Sequence, residues 1–210
     1  MSKKIIALVL ASVAAVLFLS SCQAPEEKVY PYPFDTAKIT YSISGQSTGE
    51  RVMFIKGNNL FIETHVTRTN NGVEERLDMI TISSGEYLYQ IDLNTKTGTT
   101  TKNAIYEELN NTPAAERAAF LTKVAIGVAE SDTQQLQPKE QKDIAGQKCD
   151  LYLLPNVGEA CLWNTLSLYS KMEVPQAGIS DTMTATKVET GLEVSDQKFE
   201  IRRNANFPPN

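Results

Sequence analysis

From Lys38 onward, apolar and polar residues alternate with a period of two, apart from Val52–Lys56, which is apolar on both faces, and turn residues such as glycine and asparagine separate the runs as far as Leu93. Ile39, Tyr41 and Ile43 alternate with polar neighbours in the first run, and Gly57-Asn58-Asn59 is a strong hairpin signal between two later runs. Successive side chains of a β-strand point to opposite faces, so this pattern is typical of strands. It predicts an up-and-down antiparallel sheet of short strands joined by tight turns.

A single segment departs from this period. Thr112 is a good helix N-cap and Pro113 suits the first helical position, so the sequence predicts a helix from there through Glu130. The apolar side of this amphipathic helix carries Leu121, Ala125 and Val128. The helix either fills the mouth of a curved sheet or gates a ligand cavity.

Strands are predicted to resume after the helix. They cover Gln147–Leu154, Cys161–Val174 and Thr182–Glu189, with a short terminal segment around Phe199 and Ile201. The chain is therefore predicted to be mainly β, of the α+β class, with a curved antiparallel half-barrel sheet packed over one amphipathic helix. This single domain is expected at residues 38–203, and residues 204–210 are expected to form a loose tail.

The N-terminus has the pattern of an export signal. Lys3 and Lys4 precede Ile5–Leu19, which is too short to span a bilayer, since a span needs about 20 apolar residues. Leu19-Ser20-Ser21-Cys22 then resembles the bacterial lipobox. The resemblance implies that residues 1–21 are removed as a signal peptide, that Cys22 is linked to diacylglycerol and that its new amine is acylated, for example by palmitate. An uncleaved signal anchor and ordinary secretion with a free thiol are the alternatives.

Lipid on Cys22 would hold the chain on a membrane, because two or three acyl chains contribute about 0.8 kcal/mol per buried CH₂. Gln23 stands where bacterial sorting uses aspartate to retain lipoproteins in the inner membrane, which favours the outer membrane by analogy. We therefore expect a lipid-anchored protein of the outer membrane that faces the periplasm, with the cell surface as the alternative.

Residues 22–37 are expected to form the lipidated N-terminus and a proline-rich tether. Tyr30, Tyr32 and Phe34 interleave with its prolines. These aromatic residues are expected to dock on the domain as its first edge. A position near the lipid headgroups is the alternative.

Cys149 and Cys161 would face a compartment in which disulfides form and persist. Strand residues between them lead into and out of a turn at residues 155–158, which brings the two sulfurs to neighbouring positions across a hairpin. A structural disulfide is therefore predicted. A reduced catalytic pair would need a Cys-x-x-Cys helix start, and a zinc site would need more ligands than one histidine adds.

Composition narrows the range of partners. Without residues 1–21 the chain keeps 189 residues with 18 basic and 25 acidic side chains, a net charge of −7. That length suits one domain with a sizeable core, and we expect a monomer. The sequence contains no basic stripe, so nothing in it favours a nucleic-acid partner.

Motifs for catalysis, metal binding or cofactor binding are missing from the sequence, which has no Gly-x-Ser-x-Gly, P-loop, Gly-x-Gly-x-x-Gly or His-Glu-x-x-His pattern. The single histidine, His65, is expected to be a solvent-side or core residue. Asp92 begins a segment like a calcium loop, but Lys96 occupies a ligand position, which indicates a turn. We expect no metal, no cofactor and no enzymatic activity.

Several short segments together resemble a known superfamily. They are Gly57–Glu63, Tyr89–Asp92, Lys96–Gly98, Ile144–Cys149, Cys161–Trp163 and Lys198–Ile201. In this order behind a lipobox, they resemble the LolA/LolB-like half-barrel superfamily of lipoprotein carriers and receptors, and more closely its uncharacterised lipoprotein members. The resemblance covers most of Lys38–Arg203. It implies an incomplete antiparallel barrel wrapped over helix, sometimes with acyl chains in its concave face.

The leading hypothesis is binding or transfer of a lipid or other apolar ligand in the concave face. The residues expected to line or plug that site are Leu121, Val124, Ala125 and Val128 of the helix and Tyr87, Tyr89 and Ile91 of the sheet. A carrier should keep an open apolar cavity. The alternative is an envelope scaffold with a filled core, which would meet a protein partner through Tyr30–Phe34 or a free strand edge. An unrecognised hydrolase would need a polar cleft with clustered titratable groups.

Overall fold

The computed structural model describes residues 29–70, 72–126, 137–154, 157–174 and 179–200. These residues form one open, curved antiparallel sheet of eleven strands with two helices, which confirms the predicted mainly β half-barrel. The predicted signal peptide, Cys22, Val128, Ile201 and the predicted tail at 204–210 lie outside the described residues.

The strands are β1 (Thr36–Gly45), β2 (Ser47–Lys56), β3 (Asn59–Asn70), β4 (Val73–Ser84), β5 (Tyr87–Asp92), β6 (Thr97–Lys102), β7 (Glu140–Ile144), β8 (Gln147–Leu154), β9 (Gly158–Trp163), β10 (Leu166–Val174) and β11 (Ile179–Thr190). The helices are α1 (Ala104–Asn111) and α2 (Arg117–Ile126), and a short 3₁₀ helix spans Asp196–Lys198.

Two meanders meet in the middle of the sheet. The strand order is β6-β5-β4-β3-β2-β1-β11-β10-β9-β8-β7, so the first and last strands of the chain pair with each other. β7 approaches β11 although three strands lie between them in the sheet, because this half of the sheet curls back on itself. β6 and β7 form the two edges, and the helices belong to the connection between them.

The two edge strands were not predicted. Thr97–Lys102 contains no large apolar residue, and Glu140–Ile144 contains only its terminal isoleucine, so neither shows the alternation on which the prediction rested. Edge strands carry polar and charged side chains that discourage pairing with other chains. The weak pattern of β6 and β7 therefore follows from their place in the sheet.

The predicted strand Cys161–Val174 is two strands in the structure. Asn164 and Thr165 turn the chain between β9 and β10 with φ values of 47° and 71°. Positive φ at both central residues is the geometry of a type I′ hairpin turn. Glycine usually marks such a turn, and threonine rarely adopts a positive φ, so the usual sequence signal was missing.

The helical region also differs from the prediction. Thr112 follows the end of α1, and its N–H donates to the Leu109 carbonyl, so it is not the N-cap of the second helix. α1 was missed, although Asn103 is its N-cap and accepts a hydrogen bond from the backbone N–H of Tyr106. Arg117, buried at the start of α2, donates through Nε to the carbonyls of Leu109 and Thr112, both at 3.0 Å. These bonds tie the start of α2 to the end of α1.

The sheet buries apolar side chains on both faces. The face of β1–β5 that carries Ile39, Ile55 and Leu60 is called the Ile39 face here. Strand register places Phe54, Phe61, Ile82 and Ile91 on the opposite face, the Phe61 face. Ile39 and Ile55 belong to the largest core cluster, which extends to Leu151 and Leu168 of the other meander.

The chain after β11 covers the Phe61 face. Val194 and Phe199 are buried against Phe61, Ile82 and Ile91. Lys56 of β2 binds this segment to the sheet: its Nζ lies 2.7 Å from Asp196 Oδ1 and donates to the Val194 carbonyl at 3.1 Å. The terminal strand predicted around Phe199 is wrong, because Phe199 lies in a turn directly after the 3₁₀ helix.

The structure contains the disulfide that the sequence predicts. Cys149 of β8 and Cys161 of β9 are bonded with their Cα atoms 5.4 Å apart, and both side chains are fully buried in the core cluster of Ile39. Leu151 is the residue directly opposite Cys161, so the disulfide bridges diagonal positions of the hairpin.

Candidate functional site

A row of aromatic rings packs over part of the Ile39 face. Tyr30 stacks on Tyr32, Tyr32 stacks on Phe34, and Phe34 stacks on Trp163 of β9, with centroid distances of 5.6, 5.6 and 5.3 Å. Tyr106 of α1 contacts Tyr30 at the other end, 6.3 Å away. Residues two apart in an extended segment point to the same side, which is why the alternation of tyrosine and proline produces this aromatic row. The expected docking of these residues is present.

The aromatic row begins next to the helices. The backbone N–H of Val29 donates to Asn58 Oδ1 at 2.8 Å, and Val29 packs with Leu109 and Leu121. Tyr32 keeps partial solvent exposure, yet burial raises the pKa of its hydroxyl above the ordinary range. Tyr30–Phe34 therefore pack within the domain. They are one of the two surfaces through which the sequence predicts that a scaffold would meet a protein partner.

Of the seven residues predicted to line a ligand site, Val128 lies outside the described residues, and the other six do not come together. Leu121 is buried with Val29 and Leu109, whereas Val124 is 39% exposed and Ala125 is also exposed. Ile91 and Tyr89 pack with Phe61 under the C-terminal segment. Tyr87, on the same face as these two, is 42% exposed.

The helix and sheet residues are separated because odd- and even-numbered residues of β5 point to opposite faces of the sheet. Leu88 is paired with Ser83, whose hydroxyl contacts the side chain of Asn103, the N-cap of α1, so the even-numbered residues of β5 share the face that α1 meets. Tyr87, Tyr89 and Ile91 point the other way. The described members of the predicted helix and sheet set therefore do not form one site.

The structure instead places a groove on the Ile39 face, at the end of the sheet where β1 meets β2 and β10 meets β11. Its volume is about 230 Å³. Apolar walls come from Ile43, Val66, Met172 and Met183. Polar groups come from Ser47, Arg51, Thr64, Ser170, Asp181 and Thr182. All the contributing strands lie in the interior of the sheet.

Arg51 is the cation in this groove. Its Nε donates to Thr64 Oγ1 at 3.1 Å, and Nη1 contacts Met183 Sδ at 3.4 Å. Burial lowers the pKa of Arg51, an effect that the neighbouring Tyr41 opposes. Among the described residues no carboxylate lies within 4.0 Å of the Arg51 guanidinium. A buried charge without an opposite charge is costly, so this side chain is suited to bind an anion.

The carboxylate of the groove is occupied elsewhere. Asp181 accepts hydrogen bonds from the backbone N–H of Ser47 at 2.6 Å and from its hydroxyl at 3.0 Å. Arg68 lies opposite Ser47 in the strand register, and its buried Nε has no hydrogen-bond partner among the described residues. Gln46 Oε1, in the turn before Ser47, is likewise buried without a partner there. Buried polar atoms are normally satisfied, so this end of the groove has unused hydrogen-bonding capacity.

Exposed apolar side chains extend the groove. Leu77 and Met79 of β4 lie opposite Val66 and Thr64 in register and are 43% and 37% exposed. Met172, on the other side, is 44% exposed. Single exposed apolar residues are normal on protein surfaces, but here three adjoin one groove. The arrangement is an apolar trough with the Arg51 guanidinium inside it, and Arg68 lies on the same face opposite Ser47, a residue of the groove.

Sequence reasoning missed the residues of this groove. The available signal was charge at an inward position, because Arg51 shares the parity of Met53 and Ile55, and Arg68 shares the parity of Ile62 and Val66. An arginine in register with core residues faces the same side as they do. Which of the two faces forms a groove depends on sheet curvature, and no local pattern reports that curvature.

His65 lies outside the groove, on the Phe61 face. Its Nδ1 is 2.8 Å from Asp78 Oδ1 and its Nε2 is 3.3 Å from Glu63 Oε1. The hydrogen bond with Asp78 is the largest cause that raises the pKa of His65. Thr64 and Val66, its neighbours in sequence, line the groove on the opposite side of β3.

Two further depressions are mostly polar. One, of about 240 Å³, is lined by Glu86, Lys102, Tyr106, Glu107, Asn110 and Asn111. The other, of about 560 Å³, is a solvent-open space between Lys56 and residues 193–197. The described part of the chain holds no cluster of three or more His, Cys, Asp or Glu side chains that could bind a metal. None of its helices is long and apolar enough to cross a membrane.

No known protein family and no curated protein matches this chain. Among solved structures, an uncharacterized conserved protein from Thermus thermophilus is similar over 94% of this chain and 98% of its own, with a TM-score of 0.51 and 7% identity. PNGF-II is similar over 82% of this chain and 30% of its own, with a TM-score of 0.43 and 13% identity. A chain of the MucA/MucB complex of Pseudomonas aeruginosa is similar over 81% of this chain and 57% of its own, with a TM-score of 0.37 and 8% identity. At such identity the likeness to the Thermus protein concerns the fold alone.

Proposed function

We propose that this chain is a non-enzymatic envelope lipoprotein that binds or transfers a lipid or other amphipathic ligand in the groove around Arg51. The groove on the Ile39 face is the observation that carries this proposal, because it is an apolar concavity with a few convergent polar groups. It lies elsewhere than the sequence-predicted ligand residues. The proposed class of ligand is nevertheless the one that the sequence suggested.

The chemistry of the groove supports binding over catalysis. Ser47 donates to Asp181, but a hydrolytic serine also needs a base such as histidine in reach. The only histidine of the chain, His65, points away from the groove on the opposite face of β3. The polar groups of the groove are suited to holding a ligand.

The proposed anchoring rests on the lipobox. Lipidated Cys22 would place the domain on the periplasmic side of the outer membrane, with Cys22 only seven residues before Val29, the first described residue. Metabolic labelling with a palmitate analogue tests this part. The wild-type chain should be labelled and sediment with outer membrane, whereas Cys22→Ala should be unlabelled. Labelling of Cys22→Ala would contradict it.

Native mass spectrometry tests the binding function. The mature chain from residue 22, with Cys22→Ser and an ordinary cleavable export signal, is purified from periplasm without detergent. A co-purifying lipid of defined mass, lost on extraction and regained on mixing, is the expected result. A clean protein mass with no uptake of added lipid or fluorescent fatty acid would reject the proposal.

A non-enzymatic scaffold is the second candidate. The edges of β6 and β7 pair with no further strand in the described part of the chain, and Val73, Leu77 and Met79 are exposed. Both features favour a scaffold, since unpaired strand edges and apolar patches are common partner sites. Crosslinking through a photoreactive residue at position 73 distinguishes it. A specific protein adduct in cells, without lipid uptake by the purified chain, would make the scaffold the better explanation.

A further inference from the structure

We propose that the groove selects amphiphiles with an anionic headgroup, which Arg51 and Arg68 bind while the apolar tail lies along the methionine and leucine side chains. This inference rests on the proposed function and adds the charge of the ligand to it. It assigns the headgroup to the arginines of β2 and β3 and the tail to the apolar side chains beside them.

The two arginines define the proposed headgroup site. Arg51 and Arg68 lie on one face of neighbouring strands, because Arg51 is opposite Thr64 and Arg68 follows Thr64 at the same parity. Neither arginine forms an ion pair within 4.0 Å among the described residues, and the Arg68 Nε is buried without a partner. Guanidinium groups bind carboxylate and phosphate through parallel hydrogen bonds. An anion would supply the negatively charged acceptor that neither arginine has among the described residues.

The nearby acidic side chains do not already serve this purpose. Asp181 faces the groove, but both its oxygens accept hydrogen bonds from Ser47. Glu75 is opposite Arg68 in the register of β3 and β4, yet the two form no ion pair within 4.0 Å in the described residues. The negative charges of these two carboxylates repel a bound anion and lower its affinity.

The tail is assigned to apolar side chains that flank the two arginines: Leu77 and Met79 on β4, and Met172 and Met183 on β10 and β11. Methionine is flexible and polarizable, so it adapts to a mobile hydrocarbon chain. At about 230 Å³ the groove is smaller than the usual 300–1,000 Å³ of a ligand site, so the rest of a tail would lie over the exposed Leu77 and Met79.

The floor of the groove favours an acyl chain over a peptide. Its strands β1, β2, β3, β10 and β11 each pair with a neighbour on both sides, so their backbone hydrogen-bonding groups are used within the sheet. A peptide laid on this face would leave its own backbone groups without those partners. A hydrocarbon chain has no backbone groups and needs no hydrogen-bond partners.

Isothermal titration calorimetry with matched twelve-carbon probes tests the inference on the mature chain with Cys22→Ser. The probes are dodecanoate, lauroyl lysophosphatidylglycerol, dodecanol and dodecylammonium, all below their micellar concentrations. We expect the two anionic probes to bind at least about tenfold more tightly than dodecanol. The tighter of the two identifies the source of the anion as a free fatty acid or a phospholipid headgroup.

Variants assign the preference to the groove. Arg51→Met should abolish the preference for anions, and Arg68→Met should reduce it. If Arg51→Met folds poorly, Arg51→Lys replaces it in the test and should keep part of the preference. Arg76→Met is the matched control, because Arg76 is an exposed arginine of β4 on the Phe61 face. It should leave the preference unchanged.

The outcomes separate this inference from the proposed function. Equal binding of dodecanol and dodecanoate, or a preference that survives Arg51→Met, would reject anion selection and leave amphiphile binding intact. Preferred binding of dodecylammonium would reject it in favour of recognition by Asp181. Failure of every probe to bind would reject the proposed function as well.

Discussion

At the residue scale, Arg51 determines the chemistry proposed for this protein. It occupies an inward position of β2 where the residues of the same parity, Met53 and Ile55, contribute to the core. Its only hydrogen-bond partners in the described structure are a hydroxyl and a thioether, and both are weaker acceptors than a carboxylate. A cation in such surroundings contributes little to the stability of the fold, so we infer that its role is in ligand binding.

Arg51→Met should therefore not destabilise the fold. Replacing a desolvated charge by an apolar side chain of similar length is often neutral or stabilising, so we expect a change in the free energy of unfolding of about 0 to +1 kcal/mol. Urea unfolding of both proteins measures it. A loss above about 2 kcal/mol would mean that Arg51 is structural, since losses of that size accompany broken buried networks.

His65 predicts a pH dependence of stability. The hydrogen bond with Asp78, and the contacts with Glu63, raise the pKa of His65 despite the opposing effect of burial. The groups around it are Glu63, Asp78, Arg76 beside Asp78, and Glu50 opposite it in β2. A pKa raised by folding adds stability that is complete below the unfolded value of about 6.5 and disappears as the pH rises through the folded value.

The urea midpoint of the wild-type chain should accordingly fall between pH 6 and pH 8, and His65→Gln should remove that slope. The effect should be small because the site is partly exposed and screened by salt. Asp78 acts in the other direction: its pKa is lowered, mainly by His65, so its contribution is lost as the pH falls below about 4. An identical slope in both proteins would exclude His65 as its source.

At the element scale, the segment before β1 behaves as part of the domain. The aromatic row joins α1 to β9 across the Ile39 face, and β1 itself begins at Thr36. Part of the predicted tether at 22–37 therefore packs on the sheet. Proline at positions 31 and 33 keeps this segment extended without requiring backbone donors.

Tyr32→Ala should remove the centre of the aromatic row. We expect a loss of about 3 kcal/mol, at the low end for a buried aromatic side chain because Tyr32 keeps some exposure. Tyr87→Ala is the control, since that ring is 42% exposed. Chemical denaturation compares the two variants, and equal losses would show that the row does not stabilise the fold.

The disulfide should stabilise the β8–β9 hairpin through the unfolded chain. Closing a loop with a separation of 12 residues is worth about 3 kcal/mol in the chain-entropy model. The double variant Cys149→Ala, Cys161→Ala should lose at least that amount, because two buried sulfurs are removed as well. The wild-type chain in reductant provides the comparison that leaves the side chains in place, and no change on reduction would contradict the estimate.

The elements that the sequence predicted well are those with a clear local pattern. β1 alternates between apolar and polar residues, β3 follows the strong hairpin signal at Gly57-Asn58-Asn59, and the cysteines flank a hairpin turn, so local rules were sufficient for them. The edge strand β7 lacked that pattern, and the turn at Asn164 lacked glycine. The ligand residues failed for another reason: Tyr89 and Ile91 are inward-facing, but on the side that the C-terminal segment covers. Choosing between the faces requires knowing what covers each one, which is tertiary information.

At the scale of the whole molecule, one sheet has two different covers. The aromatic row covers part of the Ile39 face and leaves the groove at its far end, whereas Val194 and Phe199 cover the Phe61 face. The largest core clusters therefore depend on chain segments that flank the sheet at both ends of the domain. Since the groove is lined only from the Ile39 face, ligand binding should be independent of the C-terminal cover.

The double variant Val194→Ala, Phe199→Ala tests that independence. Removing two buried side chains should lower the free energy of unfolding by at least about 3 kcal/mol. It should also raise the binding of a hydrophobic dye, because Phe61 and Ile82 become partly exposed. The control is Glu193→Ala, Gln197→Ala, which changes two exposed positions of the same segment and should leave stability unchanged.

Affinity for dodecanoate, measured where both variants remain folded, is the decisive quantity. Unchanged affinity in the destabilised variant would show that the Phe61 face serves stability and the Ile39 face serves binding. A parallel loss of affinity would contradict that division. Arg51 is on β2, whose Phe54 lies on the Phe61 face, where it packs with Phe61 and beneath Lys198. Such a loss would therefore mean that the C-terminal cover holds the strand that positions the arginine.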